Sequence, residues 1–246
     1  RALMPFITAG FPSLEVTERV LPELERAGAS VVELGIPFSD PIADGPVIAQ
    51  SMHAALQAGV TPGHVFEMVK RVRPKTNLGV VAMVSDSIIS RMGPERFVTD
   101  AAAAGFDGLI VPDIDLDAAE PLAGLARMHN LSFSLLIAPT SSPQRILKIA
   151  QMCTGFIYLL ARVGITGERD ELDTTNLAER IALIRSHSPL PIAVGFGISR
   201  AEHVKSVVQH ADAAIIGSAL VRRMDDPKNA VQAASGFVAE LARGLA

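Results

Sequence analysis

The sequence predicts an α/β fold, a single (β/α)8 TIM barrel that spans residues 1–246 as one domain. Eight short apolar, β-branched segments recur along the chain, and each is followed by a segment with helical character. Eight alternating units in 246 residues is the usual size of such a barrel, whereas a doubly wound sheet more often stops at five or six strands. The second and third strands lie unusually far apart, which predicts an inserted active-site loop with a short helix after strand two.

The near-continuous apolar character of the eight segments is typical of parallel strands buried on both faces. The predicted strands are residues 3–8, 31–36, 78–84, 108–112, 132–138, 156–161, 191–196 and 213–217. The first helix, residues 13–27, contains Pro22, which removes a backbone donor and predicts a kink or a division. The insertion is predicted to contain a short helix over residues 46–58, before the helix over residues 62–72.

Local chemistry marks the ends of several helices. Helix starts are predicted by capping-box spacing at Ser199/Glu202 and Asp117/Glu120, and by proline steps at Ser142-Pro143 and Gly93-Pro94. Helix stops are predicted at Gly28, Gly59 and Gly105.

Composition excludes several classes of function. The net charge is −4 and no basic stretch stands out, which argues against nucleic acid as a partner. The single Cys153 excludes an internal disulfide, and its apolar context predicts a buried thiol in a reducing, cytoplasmic compartment. The longest apolar runs fall far short of the roughly 20 residues that span a bilayer. The six histidines are scattered without HExxH spacing, and no phosphate-loop or dinucleotide fingerprint is present, so neither a metal nor a nucleotide cofactor is predicted.

Glu33 is the first candidate for chemistry, because it lies inside the apolar second strand. An unpaired buried carboxylate takes up a proton, and this raises its pKa toward the range useful for acid–base catalysis. The alternative is a Glu paired with Arg or Lys in the barrel interior. In these barrels the active site lies at the carboxyl ends of the strands, so other polar groups there are also candidates.

Each of these further groups also has an ordinary structural interpretation. Asp44 precedes Gly45-Pro46 and fits a turn residue or helix cap, and Asp40 and Asp113 fit loop caps equally well. Tyr158, the only tyrosine, can simply pack in the barrel with its hydroxyl satisfied.

Glycine-containing loops after the last three strands indicate a phosphate site. These loops carry "ITG" at residues 165–167, "GFG" at 195–197 and "GS" at 217–218. Glycine lets backbone N–H groups approach an anion, and the loops after strands seven and eight of many barrels bind phosphate. Ordinary turn chemistry is the alternative.

Six segments together resemble the tryptophan synthase alpha chain family. They are "PFITAGFPS" (5–13), "ELGIPFSDPIADGPVI" (33–48), "GLIVPD" (108–113), "FIYLLARVGITG" (156–167), "VGFGIS" (194–199) and "IIGSALV" (215–221). The resemblance covers essentially the whole chain in order, and the second segment is highly specific. It implies a barrel that cleaves indole-3-glycerol phosphate to indole and glyceraldehyde 3-phosphate. It also implies an α2β2 heterotetramer with a β chain that carries pyridoxal phosphate and converts the indole to L-tryptophan, with no cofactor in this chain.

Within that resemblance each site residue acquires a role. Glu33 falls on the catalytic acid–base, Asp44 on the carboxylate that engages the indole nitrogen, and Tyr158 on the tyrosine near the acid–base. Thr166 falls on the closing-loop threonine, and the phosphate cradle falls on Gly167, Gly197, Gly217 and Ser218. Phe6 and Phe196 are the expected walls of an apolar indole slot, and the loop with Asp40 and Pro41 is expected to close over substrate and face the partner.

The chain departs from the usual family pattern at three places. It has Ala49 where Gln is usual, Val84-Ser85-Asp86 where Tyr-x-Asn is usual, and Ala161 where Ser is usual. None of these changes removes a proposed catalytic group.

Other functions remain open at the level of sequence. Indole-3-glycerol-phosphate synthase would need a strand lysine and a sugar-phosphate epimerase would need strand-end histidines, and the predicted strands lack both. A non-catalytic partner subunit and a stand-alone indole-releasing lyase are further alternatives.

Overall fold

A computed structural model describes residues 1–40, 45–161, 175–195 and 197–246, without the side chains of residues 175 and 176. In the described residues the barrel contains nine parallel strands. The strands are β1 (Ala2–Thr8), β2 (Val31–Gly35), β3 (Gly79–Met83), β4 (Gly108–Ile110), β5 (Ser132–Ser134), β6 (Leu136–Ile137), β7 (Ile157–Leu160), β8 (Ile192–Gly195) and β9 (Ala213–Ile216). Their order is β5-β4-β3-β2-β1-β9-β8-β7-β6, and every pair is parallel. The predicted barrel is confirmed. That residues 1–246 form one domain stays a prediction.

The predicted fifth strand is divided at Leu135 into β5 and β6. β5 pairs with β4, and β6 pairs with β7, so the two halves together nearly close the ring. Leu135 donates its backbone N–H to Cys153 Sγ at 3.3 Å, while its carbonyl accepts from the backbone N of Tyr158 at 3.3 Å. A cysteine on the following segment therefore replaces a ladder hydrogen bond at the break.

Helices cover the outside of the barrel. They are α1 (Leu14–Arg26), α2 (Pro46–Gln57), α3 (Pro62–Val72), α4 (Asp86–Met92), α5 (Pro94–Ala104), α6 (Leu116–Met128), α7 (Pro143–Met152), α8 (Thr175–Arg185), α9 (Ala201–Val208), α10 (Ser218–Arg223) and α11 (Ala230–Ala242). The predicted helix of the insertion is α2, which ends one residue before the predicted boundary. In the part of the chain that the structure describes, no helix is long and apolar enough to cross a membrane.

Most of the predicted helix signals are confirmed. Ser142 accepts a hydrogen bond from Arg145 N at the start of α7, and Gly93 precedes Pro94 at the start of α5. The three predicted stop glycines all have positive φ, the conformation in which glycine is favoured after a helix: Gly28, Gly59 and Gly105.

Two predicted helix starts are wrong, and Pro22 does not divide α1, which runs without a break from Leu14 to Arg26. A kink at Pro22 stays a prediction. Asp117 does not begin α6, since Asp115 in extended conformation precedes its first residue. Ser199 does not cap α9, because Arg200 occupies the cap and the N–H of Ser199 points instead to His203 Nδ1 at 3.4 Å.

Two apolar clusters pack against the two faces of the sheet. The larger core fills the space between strands and helices, and a smaller cluster fills the barrel interior. The buried members of the interior cluster are Met4, Val81, Ile110, Tyr158, Ala193, Ala213 and Ile215. Because paired residues of neighbouring strands point to the same side of a sheet, the register with Phe6 and Val81 directs Glu33 into this interior.

Candidate active site

Glu33 is a fully buried carboxyl group in the barrel interior. Its exposed fraction is 0%, and neither carboxyl oxygen has a hydrogen-bond partner among the described residues. Burial therefore raises the pKa of Glu33 well above its ordinary value. The alternative of a Glu paired with an interior Arg or Lys is not found in the described part of the chain. A carboxyl group in this environment keeps its proton to a higher pH than an ordinary glutamate does, and a protonated carboxyl group can act as a general acid.

Tyr158 shares the barrel interior with Glu33. It lies on β7 and is 8% exposed, in the same cluster as Val81, the register partner of Glu33 on β3. A Cβ added at Gly195 would lie 2.9 Å from the Tyr158 hydroxyl oxygen and 3.0 Å from ring atom Cε1. Tyr158 pairs with Ala193, two residues before Gly195, so its hydroxyl points toward the carboxyl end of β8. Tyr158 thus packs in the barrel and also presents its hydroxyl at the catalytic end.

Phe6 forms one wall of an apolar cluster beside Glu33. Phe6 on β1 is the register neighbour of Glu33 and packs with Ile48, Met52 and Val221. The cluster lies against the insertion helix α2 and the short helix α10. An apolar surface next to a protonated carboxyl group suits an aromatic ring that must be protonated.

The sequence analysis did not identify several members of this apolar site. Ile48 and Met52 lie one helical turn apart on α2, and this i, i+4 spacing is a signal that could have found them. Gly35 makes room for the wall, because a Cβ there would lie 2.6 Å from Phe6 Cζ and 2.9 Å from Met52 Cε. A glycine inside a strand is a general indication of such close approach.

Gly197, Gly217 and Ser218 follow two adjacent strands at the same end of the barrel. β8 pairs with β9, with Gly195 opposite Ile215, so the loops that begin after these residues are neighbours. Gly197 has φ of 69°, and Gly217 is the cap residue before α10, whose first residue, Ser218, is buried. A Cβ at Gly217 would meet nothing within 4 Å, so space is open beside this backbone. The structure brings the three residues to one place, and their role in binding phosphate stays a prediction.

Five predicted site residues lie outside the described residues: Pro41, Asp44, Thr166, Gly167 and Phe196. Asp40 is described and exposed, at the start of the insertion. The roles given to these residues stay predictions.

Asp113 has the structural role that its position also allowed. Its carboxylate accepts hydrogen bonds from Ser85 Oγ at 2.6 Å and from Asp86 N at 2.9 Å, at the start of α4. Burial, and then the negative charges of Asp113 and Asp115, raise the pKa of Asp86. Asp113 is therefore a loop cap, as the ordinary interpretation predicts.

Cys153 is buried, and burial raises the pKa of its thiol to about 11. The described residues include no group of three or more His, Cys, Asp or Glu side chains that could hold a metal ion.

Comparison with known proteins assigns the family. The sequence model for "Tryptophan synthase alpha chain" matches residues 1–245. The chain belongs to the tryptophan synthase alpha chain family. A tryptophan synthase alpha chain from Synechococcus sp. (strain CC9902) is 46% identical over 224 residues, which cover 91% of this chain and 83% of that protein. One from Chloroflexus aggregans is 42% identical over 98% of this chain and 91% of that protein.

Solved structures of the tryptophan synthase alpha chain family share the fold. A structure of Mycobacterium tuberculosis tryptophan synthase superposes with a TM-score of 0.91 at 30% identity, covering 99% of this chain and 91% of that chain. Tryptophan synthase subunit alpha from Legionella pneumophila superposes with a TM-score of 0.90 at 32% identity, covering 100% and 92%. The family assignment confirms the predicted function, the alpha subunit of tryptophan synthase, a lyase that cleaves indole-3-glycerol phosphate.

Proposed function

We propose that this chain cleaves indole-3-glycerol phosphate by a retro-aldol reaction in which Glu33 is the acid–base. The observation that carries the proposal is a carboxyl group with an exposed fraction of 0% and no partner for either oxygen among the described residues. Burial favours the protonated form of such a group, which is the form that an acid catalyst requires.

The reaction needs two proton movements. Glu33 donates its proton to C3 of the indole ring, and the bond between C3 and the glycerol side chain then breaks. The side-chain hydroxyl loses its proton to the Glu33 carboxylate as the aldehyde forms, so Glu33 ends the cycle protonated again. Positive charge develops on the indole nitrogen meanwhile, and we assign its stabilisation to an ionised Asp44. The products are indole and D-glyceraldehyde 3-phosphate.

The rest of the site holds the two ends of the substrate. The apolar cluster of Phe6, Ile48 and Met52 gives an indole ring a surface beside Glu33. We assign the phosphate to the backbone of Gly167, Gly197 and Gly217 with Ser218, with Thr166 closing over it. Tyr158 directs its hydroxyl toward the carboxyl end of β8. We assign to this hydroxyl a place beside Glu33 and the reacting atoms.

The indole that this chain releases is the substrate of a β chain. We propose an α2β2 heterotetramer in which pyridoxal phosphate on the β chain converts the indole to L-tryptophan. The exposed Asp40, together with Pro41, belongs to the loop that we assign to partner contact. We also propose a cytoplasmic location, because the buried Cys153 remains a thiol in a reducing compartment.

Indole release from indole-3-glycerol phosphate by the purified chain, alone and with a β chain added, tests this function. We expect slow release that rises sharply with the β chain. Fast release without it would indicate an independent lyase, and binding without release would indicate a non-catalytic partner.

The Glu33→Gln variant tests the residue assignment. We expect it to lose nearly all cleavage while still binding inorganic phosphate, because the amide cannot transfer the proton. Full activity of this variant would refute the acid–base role.

A further inference from the structure

We infer that Thr8 and Ser51 are positioning residues for the cleavage, because they fix the insertion helix α2 at the catalytic end of the barrel. The inference rests on the proposed function, since the wall that they hold in place is the one assigned to the indole ring. Neither residue is a catalytic residue, and each acts through Ile48, Met52 and Phe6.

The contact between the two residues is short and fully buried. Thr8 is the last residue of β1 and is 1% exposed, whereas Ser51 lies in α2 and is 0% exposed. Their hydroxyl oxygens are 2.6 Å apart, across 43 positions of sequence. At this distance the contact is a strong hydrogen bond for two hydroxyl groups.

Hydroxyl chemistry sets the direction of this hydrogen bond. Ser51 Oγ donates its single proton to the carbonyl oxygen of Ile48 at 2.7 Å, because that oxygen can only accept. Thr8 must therefore donate to Ser51. Two consecutive hydrogen bonds therefore link the end of β1, through Ser51, to the backbone of α2.

This hydrogen-bonded link matters because it joins α2 to the barrel with a fixed direction. The helix is an insertion between β2 and α3. Apolar burial holds the helix against the barrel, but such attraction is non-directional. A buried hydrogen bond of fixed geometry sets the rotation and the axial position of the helix.

The anchored residues are those that face the reaction. Ile48 accepts the hydrogen bond through its carbonyl, Met52 follows Ser51 directly, and both side chains pack with Phe6. Phe6 is the register neighbour of Glu33. Without these two hydrogen bonds, the apolar wall of Ile48, Met52 and Phe6 could move relative to Glu33, the proposed proton donor. A displacement of about 1 Å can lower the rate by up to about 10²-fold.

Thr8→Val is the first variant to make, because valine keeps the shape of threonine and removes only the donor. We expect a kcat for indole release at least about tenfold below that of the parent. Affinity for inorganic phosphate should be unchanged, since phosphate is assigned to the loops that carry Gly167, Gly197, Gly217 and Ser218. Thr8→Ser retains the donor and should retain kcat. Ser51→Ala should reproduce the loss, and the double variant should lose no more than either single variant, since both remove one contact.

Thr76→Val is the matched control. Thr76 is also buried, and its hydroxyl donates to Glu25, but it lies before β3 at the opposite end of the barrel. We expect this control to lower the melting temperature and to leave kcat per folded molecule unchanged.

Two results would overturn the inference. One is a Thr8→Val enzyme with reduced melting temperature but parental kcat, as in the control. The other is an equal loss of kcat in Thr8→Ser, which would show that packing matters and the hydroxyl does not. Failure of the proposed function itself is separate, because it appears as full activity in Glu33→Gln.

Discussion

Replacement of Glu33 by Gln is expected to change how the stability of the protein depends on pH. In the unfolded chain Glu33 releases its proton near pH 4.5, whereas burial raises the pKa of the folded group well above that value. Between these two pKa values the folded protein holds one proton that the unfolded chain has lost. Stability from this group is therefore fully present below about pH 4.5 and is lost as pH rises toward the folded pKa.

The magnitude follows from one retained proton. The unfolding free energy of the parent falls by about 1.4 kcal/mol per pH unit through this window relative to Glu33→Gln, and the difference becomes constant above the folded pKa. A buried glutamine amide without partners adds a cost of its own, but this cost does not depend on pH. The slope is therefore the informative quantity, and the offset is not.

Urea unfolding of both proteins from pH 4 to pH 9 measures the slope. The exposed Glu67 supplies a matched control, because Glu67→Gln makes the same substitution without burial. A difference between parent and Glu33→Gln that stays flat across the whole range would refute the reasoning. It would mean that Glu33 ionises normally in the folded protein.

Three further predictions concern other parts of the molecule. Gly195→Ala should lower kcat and leave the melting temperature nearly unchanged, because its Cβ would stand 2.9 Å from the Tyr158 hydroxyl; parental kcat in steady-state indole release would contradict this. Asp107→Asn and Asp212→Asn should each lower the unfolding free energy measured in urea by about 1 kcal/mol. Each carboxylate accepts a hydrogen bond from a backbone N–H of the preceding strand and pairs with an Arg. An unchanged unfolding free energy in both variants would show that these contacts do not stabilise the fold. Cys153, with a pKa of about 11, should react with a disulfide reagent at pH 8 only after unfolding, and rapid reaction of the native protein would contradict its burial.

The sequence was sufficient for the order of the strands and for most of their boundaries, apart from the division of the fifth predicted strand into β5 and β6. Apolar runs of four to eight residues locate strands well when both faces are buried, and the stop glycines were recognisable because few residues tolerate positive φ. The capping-box pattern predicted the wrong start for α6 and α9. The same spacing of a polar residue and a Glu occurs with the polar residue inside the helix, as at Asp117, or in the loop before the cap, as at Ser199. The break at Leu135 was not predictable, because it depends on a hydrogen bond to Cys153 from another part of the chain.

By itself, the sequence determined the barrel, the family, and a carboxyl group inside an apolar strand. Only the tertiary structure decided that Glu33 has no cationic partner among the described residues, and that Thr8 meets Ser51 across 43 positions of sequence. The physical reason is that local pattern fixes which face of an element is buried, while the identity of the group across the barrel depends on register and packing. The neighbours of a buried acid set its pKa. The sequence therefore identifies Glu33 as a buried acid, and only the structure shows which form of the carboxyl group its surroundings favour.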